Sequence, residues 1–266
     1  MGAKSTSQSG NHLMRPSIVL CGDSLTQLAA DPRSGGFMCF FINDYVRSVD
    51  VLNRGFSGYT TKQYKELVIP VLKEDFASRK PCLLTLWLGA NDAALIDGPA
   101  KAQHVPLPEY RENLGILLKS LLEINEKARI LLITPPAVID DMRAHLLPVP
   151  GKLDRSNAEA GRYAVVCKQV GEEFKKTNKN IVIMDVYESI NAMKEEERRT
   201  LYADGLHFSS LGNFYIYKEI SKVIQNNFPE LHPDNVPPQV PAWDSSNPLE
   251  EVIEGQKASA AVCSVK

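Results

Sequence analysis

The sequence predicts an α/β fold, a three-layer α/β/α sandwich around a five-stranded parallel sheet. Five short apolar runs of four to seven residues recur along the chain, separated by segments with apolar residues at three- and four-residue spacing. The runs are rich in Val, Ile and Leu without strict alternation, as expected of parallel strands that helices cover on both faces. This alternation of strands and helices indicates βαβ units with right-handed crossovers.

The predicted elements follow one another in a regular order. The strands are Ser17–Cys21, Asp50–Asn53, Cys82–Leu88, Ile130–Thr134 and Ile181–Met184, and the helices are Phe37–Val49, Lys62–Phe76, Tyr110–Glu126, Asn157–Thr177 and Ser209–Asn227. Pro70 should kink or interrupt the second helix, because proline lacks a backbone N–H. We expect the strand order 2-1-3-4-5.

The chain reads as one domain with two tails. Residues 1–15 are expected to be a flexible N-terminal segment, 16–228 the folded domain, and 229–266 a Pro-rich extension that is disordered from Glu250 onward. The segment Pro237–Trp243 is expected to be extended and to dock, either over the active-site edge or on a second subunit. The irregular stretch Pro135–Asp154 is either a lid or pocket wall, or a packed surface loop.

Composition excludes several classes of protein. A net charge of −2 over 266 residues offers no electrostatic basis for binding nucleic acid or an anionic membrane. The five cysteines are scattered, without a CxxC pair, and indicate reduced thiols. No run approaches the ~18 apolar residues of a membrane span, and the first sixteen residues lack the apolar core of a signal peptide. We therefore expect a cytoplasmic protein without stable membrane association.

Ser24 stands directly after the first predicted strand, where Gly22 and Asp23 end the apolar run. By itself, the serine is better explained by a plain turn or a helix N-cap than by catalysis. Three polar blocks follow later in the chain: Asn53 through Thr61, Gly89-Ala90-Asn91-Asp92, and Asp204-Gly205-Leu206-His207. Because the carboxyl ends of parallel strands meet at one edge of a sheet, we expect these blocks to converge there.

The residue types in these blocks match the needs of acyl transfer from an ester. The reaction requires a nucleophilic hydroxyl, a base and a carboxylate that fixes the base's tautomer, and Ser24, His207 and Asp204 fill those roles. Donors for the oxyanion would be the backbone N–H groups of Ser24 and Gly58 and the side chain of Asn91. Because a neutral imidazole must accept the proton, activity should fall on acidification.

The blocks together resemble those of the GDSL or SGNH hydrolases. The resemblance covers roughly residues 16–228 and places the family's Ser, Gly, Asn and His at Ser24, Gly58, Asn91 and His207. It implies a flavodoxin-like sandwich, a serine esterase without a cofactor, and a shared turn for Asp204 and His207. Within the superfamily the chain looks most like the isoamyl acetate-hydrolysing esterase group, judging from Gln103–Leu107, Ile133–Pro136, Asp204–Ser209 and the tail carrying Trp243.

The expected function is hydrolysis of small, short-chain carboxylic esters through an acyl-enzyme. The expected partner is a small-molecule ester, no metal ion is expected, and a homodimer is compatible with the sequence. Candidate substrate-binding residues share an apolar side chain: Leu25, Phe56, Ile139, Met142 and Phe208. Three alternatives stay open: a thioesterase, lysophospholipase or carbohydrate acetylesterase on the same site, a catalytically silent binding subunit, and a flavodoxin-type carrier.

Overall fold

The sheet has the topology expected from the sequence. The computed structural model describes residues 15–146, 152–248, 250–252 and 254. Its five parallel strands lie in the order β2-β1-β3-β4-β5, which confirms the predicted order. The strands are β1 (Ser17–Gly22), β2 (Asp50–Gly55), β3 (Leu83–Trp87), β4 (Arg129–Ile133) and β5 (Ile181–Met184).

Helices cover both faces of the sheet. They are α1 (Ser24–Gln27), α2 (Phe37–Tyr45), α3 (Thr61–Gln63), α4 (Ile69–Asp75), α5 (Leu107–Ile124), α6 (Asp140–Leu146), α7 (Asn157–Lys175), α8 (Val186–Asn191), α9 (Glu195–Thr200) and α10 (Ser210–Asn227). On one face α2, α8 and α10 pack on the strands, and on the other α4, α5 and α7 do. Successive β1 residues alternate between these two cores, so every side chain of the strand is buried. Burial of each large apolar side chain contributes about 1.5–3 kcal/mol.

The helices differ from expectation at two places. The chain winds as a π-helix over Tyr64–Val68, directly before Pro70, and α4 begins at Ile69. Proline provides no N–H for the regular ladder, which accounts for the interruption predicted there. The stretch Pro135–Asp154 also contains a helix of its own, α6, which packs beneath the turn that carries Asp204 and His207.

The chain continues to pack after Phe228. Leu231 and Val236 are buried, and the hydroxyl of Tyr45 donates to the Leu231 carbonyl at 2.6 Å. The tail then runs along the end of α2, where the Gln239 N–H donates to the Arg47 carbonyl at 2.9 Å. The expected division of the chain at residues 228 and 229 stays a prediction.

The tail lies at the amino edge of the sheet, where Arg47 precedes β2. Hydrogen bonds between the tail and Arg47 hold the tail at this edge. The expectation that Pro237–Trp243 folds over the active site of its own chain is therefore wrong, because the active site lies at the opposite, carboxyl edge. Trp243 is 98% exposed. The expected flexibility of residues 1–15 falls outside the described residues except at Arg15, and the disorder expected from Glu250 is outside them except at 250–252 and 254. None of the helices in the described part of the chain is long and apolar enough to cross a bilayer.

Candidate active site

The strand order brings three of the four polar blocks together at the carboxyl edge of the sheet. Strand β1 lies between β2 and β3, so the turn after β1 is flanked by the turns that follow its two neighbours. Ser24 therefore stands between the turn of Gly58 on one side and the segment of Asn91 on the other. Ligands bind in open α/β sheets at this edge, where the crossovers leave in opposite directions.

Ser24 is the first residue of α1 and is held by the turn before it. Asp23 caps the helix, and its Oδ1 accepts the N–H of Leu25 at 3.0 Å. This hydrogen bond orders the turn that carries Ser24. Ser24 itself keeps 8% of its surface exposed. Its hydroxyl is thus both fixed in position and within reach of a ligand.

His207 and Asp204 reach Ser24 from a turn 180 residues later in the chain. The imidazole Nε2 lies 3.0 Å from the Ser24 Oγ, and its Nδ1 lies 2.8 Å from Oδ2 of Asp204. The other carboxylate oxygen of Asp204 accepts the backbone N–H groups of Leu206 and His207 at 2.9 and 2.6 Å. Ser24, His207 and Asp204 form a continuous hydrogen-bonded relay. His207 and Asp204 are half-buried.

The turn is shaped by Gly205, which has a φ of 81°. Other residues rarely adopt this left-handed conformation, and a Cβ here would lie 2.6 Å from the Ile139 carbonyl oxygen. The glycine thus lets the turn approach the segment leading into α6 closely. From α6, Arg143 donates through Nη1 to Oδ2 of Asp204 at 2.8 Å. The triad carboxylate therefore carries a second, cationic partner besides His207.

The hydrogen bonds around Asp204 keep it ionised. Partial burial alone would raise its pKa, but the side chain and backbone of His207 and the backbone N–H of Leu206 outweigh burial and lower the pKa far below the usual range. Asp204 is thus a carboxylate across the whole physiological range. A carboxylate in this position fixes the imidazole tautomer with its proton on Nδ1, which leaves Nε2 free to accept a proton from Ser24.

Gly58 sits in a tight turn in which its neighbours' N–H groups are used. Tyr59 donates to the Phe56 carbonyl at 3.1 Å, and the N–H of Ser57 donates to the side chain of Gln27 at 2.8 Å. The φ of 81° at Gly58 identifies a type II turn. Within the described residues, the N–H of Gly58 has no acceptor, and neither has that of Ser24.

Asn91 follows β3 and is largely buried, with 4% of its surface exposed. Its Nδ2 donates to the Tyr59 carbonyl at 2.9 Å, and its Oδ1 accepts from Arg155 at 2.9 Å. One of the two amide protons is therefore left for a ligand. Together with the N–H groups of Ser24 and Gly58, this amide proton makes three donors without an acceptor among the described residues, on the blocks that flank Ser24.

A second carboxylate, that of Asp23, is adjacent to Ser24 in sequence, and its pKa is raised where that of Asp204 is lowered. Asp23 is fully buried, and burial raises its pKa to about 6, although the Leu25 N–H counteracts the rise. Among the described residues its Oδ2 has no hydrogen-bond partner. Asp23 is separate from the relay that joins Ser24, His207 and Asp204.

A cavity of about 240 Å³ opens beside His207. The structure places Leu25 and Phe208 on its wall, as expected from the sequence. The other lining residues come from the segment after α1 and from the two ends of the histidine turn: Leu28, Asp31, Ser34, Ala203, Asp204, His207 and Asn213. No sequence signal identifies Leu28 or Asn213, because each is an ordinary residue of a helical stretch.

Three candidate substrate-binding residues lie elsewhere. Phe56 stacks on Tyr59, with ring centroids 5.3 Å apart, on the far side of the Gly58 turn. Ile139 and Met142 pack behind the Gly205 turn, where the Ile139 N–H donates to the Gly205 carbonyl at 2.9 Å. The structure thus separates these three from the cavity wall, because their apolar side chains are used to support the turns of the site.

Three polar residues outside the relay, Asp140, Asp141 and His104, form contacts that do not involve Ser24. Asp140 accepts the N–H of Asn157 at 2.7 Å, and Asp141 pairs with Arg199. His104 Nδ1 lies 2.7 Å from the Ala94 carbonyl oxygen. Over residues 15–146 and 152–248, no three or more His, Cys, Asp and Glu side chains are grouped so as to hold a metal ion.

Comparison with known proteins agrees with this geometry. The sequence profile of the GDSL-like lipase/acylhydrolase family matches residues 18–220, which is most of the chain and includes every block of the site. The chain belongs to the GDSL-like lipase/acylhydrolase family. As a member of this family, it is a carboxylic ester hydrolase, which confirms the enzyme class expected from the sequence.

Relatives of this GDSL hydrolase align over most of its length. It is 34% identical over 232 residues to the isoamyl acetate-hydrolyzing esterase 1 homolog of Rattus norvegicus, covering 85% of this chain and 89% of that protein. It is 33% identical to a GDSL esterase/lipase of Arabidopsis thaliana, covering 80% of this chain and 87% of that one. The predicted resemblance to the isoamyl acetate esterase group is thereby confirmed.

Two solved structures share the fold of this chain. The lipase/acylhydrolase from Enterococcus faecalis superposes with a TM-score of 0.56 at 26% identity, covering 80% of this chain and 96% of that one. The acetylxylan esterase Axe2 from Geobacillus stearothermophilus gives a TM-score of 0.57 at 21% identity, covering 79% and 94%. The latter likeness shows the fold alone, which is the predicted α/β sandwich.

Proposed function

We propose that this GDSL hydrolase cleaves small carboxylic esters with short acyl groups, through an acyl-enzyme formed on Ser24. The observation that carries the proposal is the relay Ser24–His207–Asp204, with contacts of 3.0 and 2.8 Å. These are the separations at which a base accepts a proton from a hydroxyl while its other nitrogen donates to a carboxylate. The reaction needs no cofactor, because the three side chains supply nucleophile, base and orienting group.

In the proposed reaction, the Oγ of Ser24 attacks the ester carbonyl carbon while Nε2 of His207 takes the hydroxyl proton. The carbonyl oxygen becomes an anion that accepts hydrogen bonds from Ser24 N–H, Gly58 N–H and the Asn91 amide. The C–O bond to the alcohol then breaks, and the alcohol leaves with the proton from His207. Water, activated in turn by His207, releases the acid and restores Ser24.

The cavity beside His207 supports a small substrate group. Its volume of about 240 Å³ is below the roughly 300–1,000 Å³ of sites that enclose drug-sized ligands. Leu25, Leu28 and Phe208 give it apolar walls, which suits an alkyl chain. The rat relative is named for isoamyl acetate. We accordingly propose an acetate-type or similarly short acyl ester as the substrate class.

The test is an acyl-length series of p-nitrophenyl esters. We expect acetate, propionate and butyrate to be hydrolysed, and kcat/KM to fall at least tenfold between butyrate and decanoate, because the longer chain exceeds the cavity. Ser24→Ala should lose activity by about 10⁶-fold, the loss measured for a triad serine elsewhere. Ester hydrolysis at wild-type rate by Ser24→Ala would disprove the mechanism, and a flat chain-length profile would disprove the substrate class.

Location and assembly are further parts of the proposal. We propose a cytoplasmic enzyme that acts on a small-molecule ester without nucleic-acid or stable membrane partners, in keeping with its net charge of −2. A homodimer stays a proposal as well. Fractionation of the source cells and light scattering of the purified chain test these two points directly.

A further inference from the structure

Arg155 is a buried arginine directly before α7, with 3% of its surface exposed. All five of its N–H donors have acceptors. Nε donates to the Ala90 carbonyl at 2.6 Å, Nη1 to the carbonyl and Oδ2 of Asp154 at 3.4 and 3.2 Å, and Nη2 to Asn91 Oδ1 and Gln103 Oε1 at 2.9 and 2.6 Å. Three of the five hydrogen bonds therefore go to the surroundings of the oxyanion donors.

Arg155 is the closer of two donors to Asn91 Oδ1, at 2.9 Å, with Gln103 Nε2 the other at 3.3 Å, and these contacts set which way the amide faces. A guanidinium has only donors, so the atom of Asn91 that meets it must be the carbonyl oxygen Oδ1. The amide nitrogen is then turned to the other side, where it donates to the Tyr59 carbonyl and keeps one proton for the oxyanion. With Arg155 absent, Asn91 Oδ1 keeps only the longer contact from Gln103, and Gln103 itself loses the donor to its Oε1, so the amide is held less firmly.

Arg155 also acts on Gly58, through Gln103. The Gln103 Oε1 accepts from Arg155, which leaves its Nε2 to donate to the Gly58 carbonyl at 2.8 Å. That hydrogen bond holds the peptide that follows Gly58 and so restrains the glycine whose N–H is the proposed oxyanion donor. Both donors that come from outside the serine's own turn are thus oriented by one buried side chain.

The charge of Arg155 is balanced by the carboxylate of Asp154, which is linked through Arg143 to Asp204. Asp154 accepts from Arg155 and forms two hydrogen bonds with Arg143, at 2.9 and 2.8 Å, and Arg143 in turn donates to Asp204. Two arginines and two carboxylates therefore alternate without net charge. A buried cation in such a position is stable only with this pairing.

We propose that Arg155 is a positioning residue for the oxyanion hole, which fixes the Asn91 amide directly and the Gly58 peptide through Gln103. The proposal rests on the proposed function, since an oxyanion must form for these donors to matter. Arg155 touches none of the reacting atoms. Its effect therefore appears in kcat, through a weaker oxyanion hole, and depends on Asn91 being present.

A double-mutant cycle tests this. We would measure kcat and KM for p-nitrophenyl acetate with wild type, Arg155→Met, Asn91→Ala and the double variant, using Ser24→Ala as background. Losing an oxyanion donor costs about 10²–10³-fold in kcat, so Arg155→Met should lower kcat by about 10²-fold with little change in KM. In the Asn91→Ala background, the same change should cost less than about tenfold, because contacting residues are non-additive.

Two further variants complete the design. Arg162→Met is the matched control, since Arg162 is an exposed arginine of α7 that pairs only with Glu159 among the described residues, and it should leave kcat unchanged. Arg155→Lys keeps the charge but has three donors where five are used, and it should behave like Arg155→Met. Activity of Arg155→Lys equal to wild type would show that charge balance alone matters and would overturn the proposal.

The outcomes separate this proposal from the proposed function. Wild-type hydrolysis no faster than Ser24→Ala overturns both. The positioning role alone is overturned if hydrolysis depends on Ser24 but Arg155→Met does not lower kcat. It is also overturned if Arg155→Met lowers kcat by the same factor with Asn91 and with Asn91→Ala. If circular dichroism shows that the Arg155 variants do not fold, Gln103→Leu replaces them: a decrease in kcat of about tenfold at constant KM supports the positioning role, and an unchanged kcat overturns it.

Discussion

Two carboxylates lie near the same serine, one adjacent in sequence and one 180 residues away, and their surroundings set them apart. Asp23 is fully buried, has one N–H donor on Oδ1 and a pKa raised to about 6 by burial. Asp204 is only half-buried, and donors from His207, Leu206 and Arg143 surround it. Its pKa is lowered despite burial. The donors around a carboxylate, more than its distance along the chain from the nucleophile, determine which one supports the base.

Of the changes that compare the two carboxylates, Asp204→Asn should have the largest effect. Asp204→Asn should lower kcat by about 10⁴-fold, because the amide no longer stabilises the imidazole tautomer and the cation that forms on it. The measurement is kcat for a p-nitrophenyl ester at neutral pH. Asp141→Asn is the control, since Asp141 is an exposed carboxylate of α6 paired with Arg199, and it should match the wild type. An Asp204→Asn enzyme within tenfold of wild type would mean that another group orients His207.

The elements of the fold were predictable because their signals are local. The β1 run is apolar over Ile18–Cys21, and the alternation of strands and helices indicated a parallel sheet, whereas the order of its strands was an expectation that no local signal determines. The site blocks were predictable for the same reason, since each comes at the end of an element. Leu28, Gln103 and Arg155 were not predictable, because their roles depend on contacts with residues far away in sequence.

Phe56 is a residue whose side-chain direction could not be predicted from the sequence. As an apolar residue next to Gly58, it was expected to line the substrate pocket. The ring instead stacks on Tyr59 and packs edge-on against Tyr64. Adjacency to Gly58 in sequence places Phe56 in that turn, but the direction of its side chain depends on which core the turn covers.

The second effect concerns stability and separates Asp23 from Asp204 by pH. The folded pKa of Asp23, about 6, is above the unfolded value near 3.9, so its stabilising contribution is present below about pH 4 and is lost as the pH rises to about 6. Asp23→Asn does not titrate and should exceed the wild type by up to about 3 kcal/mol of unfolding free energy above pH 6, with the difference vanishing near pH 4.

Urea unfolding at pH 4, 6 and 8 measures this difference. Asp97→Asn is a suitable control, because Asp97 is exposed and its change should have the same small effect at each pH. A difference between Asp23→Asn and wild type that is the same at pH 4 and pH 8 would contradict the burial of an ionisable carboxyl at this position.

A third effect tests whether substrate binds on the Asp204 side of the serine, where the cavity lies. Leu28 lines that cavity and is 40% exposed, so Leu28→Ala should enlarge the site without disturbing the core. Burial of two more methylene groups is worth about 1.6 kcal/mol, and the hexanoate-to-butyrate ratio of kcat/KM should therefore rise by about tenfold. Leu67→Ala, at an exposed leucine outside the cavity, should leave the ratio unchanged. An unchanged ratio in Leu28→Ala would place the acyl chain elsewhere.

The smallest effect should be that of Asp23→Asn on catalysis, although Asp23 is next to the nucleophile. Asparagine keeps an Oδ1 that can accept the Leu25 N–H, so the turn that holds Ser24 should persist. The charge it removes forms no hydrogen bond with His207 and acts on the imidazole only through space, so we expect a loss in kcat below about tenfold. We expect the kcat of Asp23→Asn to stay within about tenfold of wild type when the variant is assayed in parallel with Asp204→Asn. A loss in Asp23→Asn as large as that in Asp204→Asn would show that the buried carboxyl acts directly on the base, and the two acids would then share one function.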